Sequence, residues 1–309
     1  GTYRKDPEAV YRDKLNAMGV CLLDQWIPTN PLTMGDHGYE GAERKATTGA
    51  EEIVADRMRI ASPEDVIEHL ERFVFPAIRR EIAAFDEDAR TRAILAGETQ
   101  VQAFLAPHIL KSGFNLVRFP GFRYGRYGYA NYFMAYALYP EVMEKDFALQ
   151  ADLALLQNRA AARAYKEGNL PPLCRLDHDM ADSRSTLADI RSLDRVWFPH
   201  FARCIEPARR AGVRMIWHCD GNLMQMVPRL LDAGLSGFQG FQYEVGMDYA
   251  RICRMKTKEG EDLIIVAGVS VTRTLPHGSP DDVRREMKWL VDNGPRAGLF
   301  LGASSSITP

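Results

Sequence analysis

Residues 217–222 read WHCDGN and residues 176–182 read LDHDMAD, two short clusters in which imidazole and carboxylate side chains crowd the end of an apolar run. A histidine and an aspartate at i and i+2 of an extended chain lie on the same side. His218 and Asp220 are therefore placed to share a proton or hold a metal ion. Cys219, between them, points to the opposite side and is expected to pack as a buried thiol. The plainer alternative for His218 is a hydrogen bond to a neighbouring carbonyl. Asp177 and Asp179 form a second alternating pair with metal-binding or acid–base potential, whereas Asp182, ahead of SRSTL, also suits a helix cap.

These clusters need strands to present them. From about residue 115 onward, short β-rich runs alternate with longer segments of helical period, the pattern of repeated βα units around a parallel sheet. The runs are 115–119, 172–177, 213–218, 236–241, 263–268 and 298–302, with 19–24 as an earlier strand and TQVQAF (99–104) as an ambiguous eighth. Between them, Pro140 opens and Gly168 closes one helix, Ser279 and Pro280 open another that stops at Gly294, and Ser62-Pro63-Glu64 starts a third. No glycine-rich dinucleotide fingerprint follows any run, which favours a closed barrel over a doubly wound sheet. The expectation is an α/β fold, a TIM (β/α)8 barrel, as one domain over residues 1–309 with an irregular N-terminal part. The chain stops at Pro309, just past the last run, where such a barrel is expected to add a closing helix.

In that architecture the residues after each strand converge on one mouth. Besides the two clusters, the mouth collects Tyr243 and Glu244 after 236–241, Arg273 and His277 after 263–268, and the ASSSIT stretch after 298–302, whose serines are either an anion-holding group or a polar turn. The loop PGFRYGRYGYANYF (120–133) adds aromatic faces and fixed charge through Arg123, Tyr124 and Tyr127. Arg123 and Arg273 suit a bidentate clamp on a substrate carboxylate, or else a surface ion pair. The stretch 27–49, rich in Gly, Pro and polar residues, reads as a long loop.

Composition narrows the class. In 309 residues the formal charge is −2, with Lys and Arg interspersed among Asp and Glu, so no footprint for nucleic acid exists. No apolar run is long enough to cross a membrane, and the charged start GTYRKDPEAVYRDK is unlike a secretory signal. Five scattered cysteines without a CxxC pair exclude a four-cysteine zinc site and fit a reducing cytoplasm.

The order of segments from about residue 115 resembles the uroporphyrinogen decarboxylase superfamily. It runs YPEVM, LDHDMADSRSTLADIRSLDRVWFPHF, WHCDGNLMQMVPRLLDAGLSGFQ, EVGMD, AGVSVTRTLPHGSPDDVRREM and GLFLGASSSITP; residues 1–114 match poorly. The resemblance implies a TIM barrel, a homodimer, and activity as a decarboxylase or as a methyltransferase serving a corrinoid protein. Where porphyrinogen decarboxylases carry Arg-Gln-Ala-Gly-Arg, this chain reads DQWIPTNP, which favours the methyltransferase branch. That branch binds zinc through His-x-Cys and a later Cys; here the pair is His218-x-Asp220, and Ala303, Ser304 and Ser305 follow the last strand. The resemblance thus implies zinc held by His218, Asp220 and Glu244, acting on a small methoxylated substrate whose methyl passes to a corrinoid on a partner protein. The alternatives are a decarboxylase, with Asp177 or Asp179 steadying positive charge and Arg123 or Arg273 holding the carboxylate, and a barrel that binds a ligand without turnover.

Overall fold

Strand alternation decides the architecture. In Leu173–Asp177, Cys174 and Leu176 are fully buried, and in Arg214–His218 so are Met215 and Trp217; the residues between them, Arg175 and Asp177 or Ile216 and His218, face the other way. One face is thus an apolar floor for helices, and the other carries the chemistry.

The computed structural model describes residues 5–28, 45–47 and 49–305. Its ten strands are β1 (Leu22–Leu23), β2 (Val54–Ala55), β3 (Met58–Arg59), β4 (Leu110–Lys111), β5 (Gly113–Phe114), β6 (Leu173–Asp177), β7 (Arg214–His218), β8 (Gly237–Gln239), β9 (Ile264–Val269) and β10 (Leu299–Ala303). Strands β5 to β10 form one parallel six-stranded sheet whose spatial order is the chain order. The sheet curls as a half-barrel. Strand β1 pairs in parallel with β4, one residue before β5, through Leu22↔Leu110 and Leu23↔Lys111. Among the described residues no strand joins β10 back to β1, so the closed eight-stranded barrel expected from the sequence is not seen. Strands β2 and β3 are a separate antiparallel hairpin.

Three local expectations are corrected. The run 115–119 is not a strand: pairing is confined to Gly113–Phe114, because Asn115 turns to φ 48° and leaves the extended region. TQVQAF lies inside the helix Glu87–Leu105, whose Asp86 cap and length override the local β-propensity. The aromatic stretch 120–133 is largely helical, as Tyr124–Tyr127 and Tyr129–Leu138. Most of the predicted loop 27–49, and Thr308 and Pro309, lie outside the described residues.

The helix Pro140–Glu167 explains how the loops are held. Its buried alanines, among them Ala151, Ala154, Ala160, Ala161 and Ala164, let the helices Glu87–Leu105 and Phe198–Arg210 approach closely. Asn158, fully buried on this helix, accepts from the Arg118 amide at 2.6 Å and donates to the carbonyls of Arg118 at 2.8 Å and Cys204 at 2.7 Å. A single amide thereby ties the backbone of a loop to a neighbouring helix. Trp197 adds a second pin by donating from Nε1 to the Pro120 carbonyl at 2.8 Å. The segment after β5 is irregular in conformation and tightly fixed in place.

Candidate functional site

Register places the strand-end residues in rows. Asp177 pairs with His218, and His218 with Gln239, so these three side chains share a face. Two residues further on, Asp179 and Asp220 reach the same side. One ligand atom each from Asp179, His218 and Asp220 lie within 4.8 Å of one another. Two donors on one ion with bonds of about 2.1 Å stand roughly 3.4–4.2 Å apart, so a small inward turn of these side chains suffices for coordination.

The cluster is also short of partners. His218 Nδ1 and Asp220 Oδ1 are buried with no hydrogen bond. Leaving buried polar atoms unpaired costs roughly 1–3 kcal/mol each, a penalty that a bound cation removes. Other atoms of the cluster are fixed: Asp220 Oδ2 accepts from Ser305 Oγ at 3.0 Å, and the Asp220 amide donates to Asp179 Oδ1 at 3.1 Å. Two glycines make room. A Cβ on Gly240, at φ 80°, would stand 2.7 Å from His218 Nδ1, and one on Gly221, at φ 86°, would stand 2.4 Å from the Asp182 carbonyl oxygen. Cys219 points away into the core as predicted; the Met180 amide donates to its sulfur at 3.3 Å, and burial pushes the thiol up to about 12.

Below the cluster lies a buried cation that the sequence reading missed. Arg175 donates to Gln239 Oε1 at 2.6 Å, contacts Asp177 Oδ2 at 3.3 Å, and sits 4.8 Å over the Phe114 ring. Its Nε is 2.9 Å from Asp24 Oδ2 but off the hydrogen-bond axis, an ion pair more than a hydrogen bond. The signal was present: Arg175 precedes Asp177 by two residues and must share its face. Burial raises the Asp177 pKa, against the opposing pull of His218 and Arg175. Asp177 therefore keeps its proton to higher pH than an ordinary carboxyl.

His178 faces the other way. Its Nε2 accepts from the Phe122 amide at 2.8 Å, which requires the neutral ring, and burial lowers its pKa to about 4. Tyr124, expected at the site, stacks on this ring at 5.8 Å and donates to the Asp179 carbonyl at 2.9 Å. It braces the Asp179 loop from behind.

The other expected residues lie apart from the cluster. Glu244 is not in it: its Oε1 is taken by the hydroxyls of Ser270, at 2.8 Å, and Thr272. Arg123 is spent on the fully buried Asp146, which it grips through Nε and Nη2 at 2.8–3.1 Å, leaving no clamp for a substrate. Tyr127 is fully buried with its hydroxyl 2.9 Å from His69 Nδ1. Tyr243 donates to the Gly268 carbonyl at 3.4 Å, and Arg273 donates to the Glu244 carbonyl at 3.2 Å. His277 ends the short helix Thr274–His277, with no contact to the cluster among those described. Asp182 caps no helix; its Oδ1 accepts from the amides of Arg184 and Ser185 in a local turn, while Asp189 caps the next helix. Of the tail serines, Ser304 accepts from the Val271 amide at 3.1 Å and Ser305 supports Asp220.

Two cavities flank the cluster. One of about 250 Å3 is lined by Asn115, Arg118, Phe119, Phe122, Asp177 and His178 among others. The other, of about 380 Å3, is lined by Tyr129, Asp179, Asp182, Asp220, Gly221 and Gln242 among others. The first is lined by two arginines, Arg118 and Arg123, as well as Asp177, whereas the charged groups of the second are all aspartates.

Comparison with known proteins adds no family: no family model and no curated protein matches the chain. Among the described residues, no helix is long and apolar enough to cross a membrane.

Proposed function

We propose that the protein is a metal-dependent methyltransferase or O-demethylase component, built on a barrel of the uroporphyrinogen decarboxylase type. It would pass a methyl group from a small methoxylated substrate to a corrinoid carried by a partner protein. The observation that supports this most is the cluster of Asp179, His218 and Asp220, with two buried donor atoms unpaired. An imidazole and two carboxylates suit zinc or a similar divalent ion. These three residues, in place of the set that includes Glu244, would hold it.

A metal there supplies Lewis acidity toward an ether oxygen. The chain's own residues do the rest. Asp177, with its raised pKa, is the proton donor to the oxygen that departs as the methyl group leaves. Arg175 holds the Asp177 carboxyl in position from below, and Ser305 holds that of Asp220 from the side. The rings of Tyr124, Phe122 and His178 form an apolar wall beside the site. Metal-free decarboxylation is less well supported, since of the two arginines expected to hold a departing carboxylate Arg123 is neutralised by Asp146 and Arg273 donates to the Glu244 carbonyl.

The test is the zinc content of protein purified without chelator, for the parent and His218→Ala. About one zinc per chain in the parent, lost in the variant, supports the reading. A parent that takes up no zinc when it is supplied removes the metal site and with it this mechanism.

A further inference from the structure

The two cavities differ in charge, and the difference rests on one residue. Arg118 lines the smaller cavity, and its guanidinium makes no hydrogen bond or ion pair among the described residues. The other arginine there, Arg123, is neutralised by Asp146, and Gln150 is spent on Gly121 and Asp146. Arg118 is thus the one uncompensated cation in the cavity wall. Its backbone is not free to swing away, because Asn158 grips both its amide and its carbonyl. Nearby Arg90, also without a side-chain partner, has its pKa lowered by burial and then by repulsion from Arg118. Arg118 is exposed and brings positive potential to a cavity whose lining carboxylate, Asp177, is already paired with Arg175.

We infer that the smaller cavity receives an oxyanionic group of the substrate, a carboxylate or a phosphate, bound by Arg118, while the remainder of the molecule extends past Asp177 toward the Asp179–His218–Asp220 cluster. The inference rests on the reading that the strand ends form the active site, and adds the chemical class of the substrate to it. A guanidinium presents a planar fork of donors that matches an oxyanion. Phe119 and Phe122 provide apolar walls for the group that carries it. Anion repulsion by Asp179, Asp182 and Asp220 in the larger cavity fixes the direction in which such a molecule lies.

Ligand-observed NMR titrations of the full chain with benzoate, phenyl phosphate and the neutral benzamide test this. At least one anion should bind roughly tenfold tighter than benzamide, and Arg118→Gln should abolish that preference. Arg118→Lys should keep part of it, and Arg284→Gln, a change on the remote helix Pro280–Asn293, should leave it intact. Tighter binding of benzoate than phenyl phosphate identifies a carboxylate substrate, and the reverse a phosphate. Equal affinity for anions and benzamide, no binding of any probe, or a preference that survives in Arg118→Gln would overturn the inference. None of these titrations requires zinc, so the metal reading and the anion reading fail separately.

Discussion

His178 and His218 stand at the ends of adjacent strands, yet only His218 leaves a ring nitrogen buried without a partner. His178 gives Nε2 to the Phe122 amide and packs among Phe119, Phe122 and Tyr124. His218, on the opposite face, leaves Nδ1 buried and unpaired beside Asp179 and Asp220. The same side chain is a structural acceptor on the helix-facing side of the sheet and a candidate ligand on the other. The direction in which the strand presents it makes the difference.

Exchanging the two roles is the strongest way to break this contrast. His178→Ala should destabilise the fold by about 3 kcal/mol, through lost ring packing and an unpaired Phe122 amide, while zinc binding persists. His218→Ala should change stability by less than about 0.5 kcal/mol in the metal-free protein and lose zinc. Denaturant melts with metal analysis measure both, and equal destabilisation by the two changes would remove the distinction.

Acidification probes the His178 side of the contrast. The folded-state pKa of His178 is about 4, below the ordinary histidine value near 6.5, so the unfolded chain takes up the proton first. This contribution is complete above about pH 6.5 and is lost as pH falls toward 4. Allowing for partial exposure, the loss is about 2 kcal/mol. Urea midpoints of the parent and His178→Gln between pH 7 and 4.5 should therefore converge as pH falls; parallel curves would contradict it.

Two smaller effects sharpen the contrast. Ser305→Ala removes the hydroxyl that holds Asp220 and should weaken zinc about tenfold in a competition assay. Cys219→Ala, on the packed side, should cost about 1 kcal/mol and leave zinc affinity unchanged. A zinc loss in Cys219→Ala would place the thiol in the site after all.

Alternation explains which parts were legible. His218, Asp220 and Cys219 follow from a period of two, and Asp179 from the same count carried two residues past the end of β6. For Arg123 the ion-pair alternative holds, but with a fully buried partner, Asp146, 23 residues away on a helix, a pairing that no local pattern reveals. Glu244 failed for a similar reason, as Ser270 and Thr272 come from a different loop. The end of β5 at Asn115 depends on a backbone angle that asparagine tolerates without requiring. Strand order was readable from the βα rhythm, but closure of a barrel depends on the meeting of distant edges.

Gly240 has a consequence for how freely this protein can vary. The space a methyl group would fill is taken by the His218 ring. Selection at this position therefore acts on bulk instead of polarity, and alanine, usually the gentlest exchange, is excluded along with every larger residue. A mutational scan read out on metal retention would register position 240 as intolerant although its own atoms bind nothing. The ligand's neighbour would be preserved for the room it leaves.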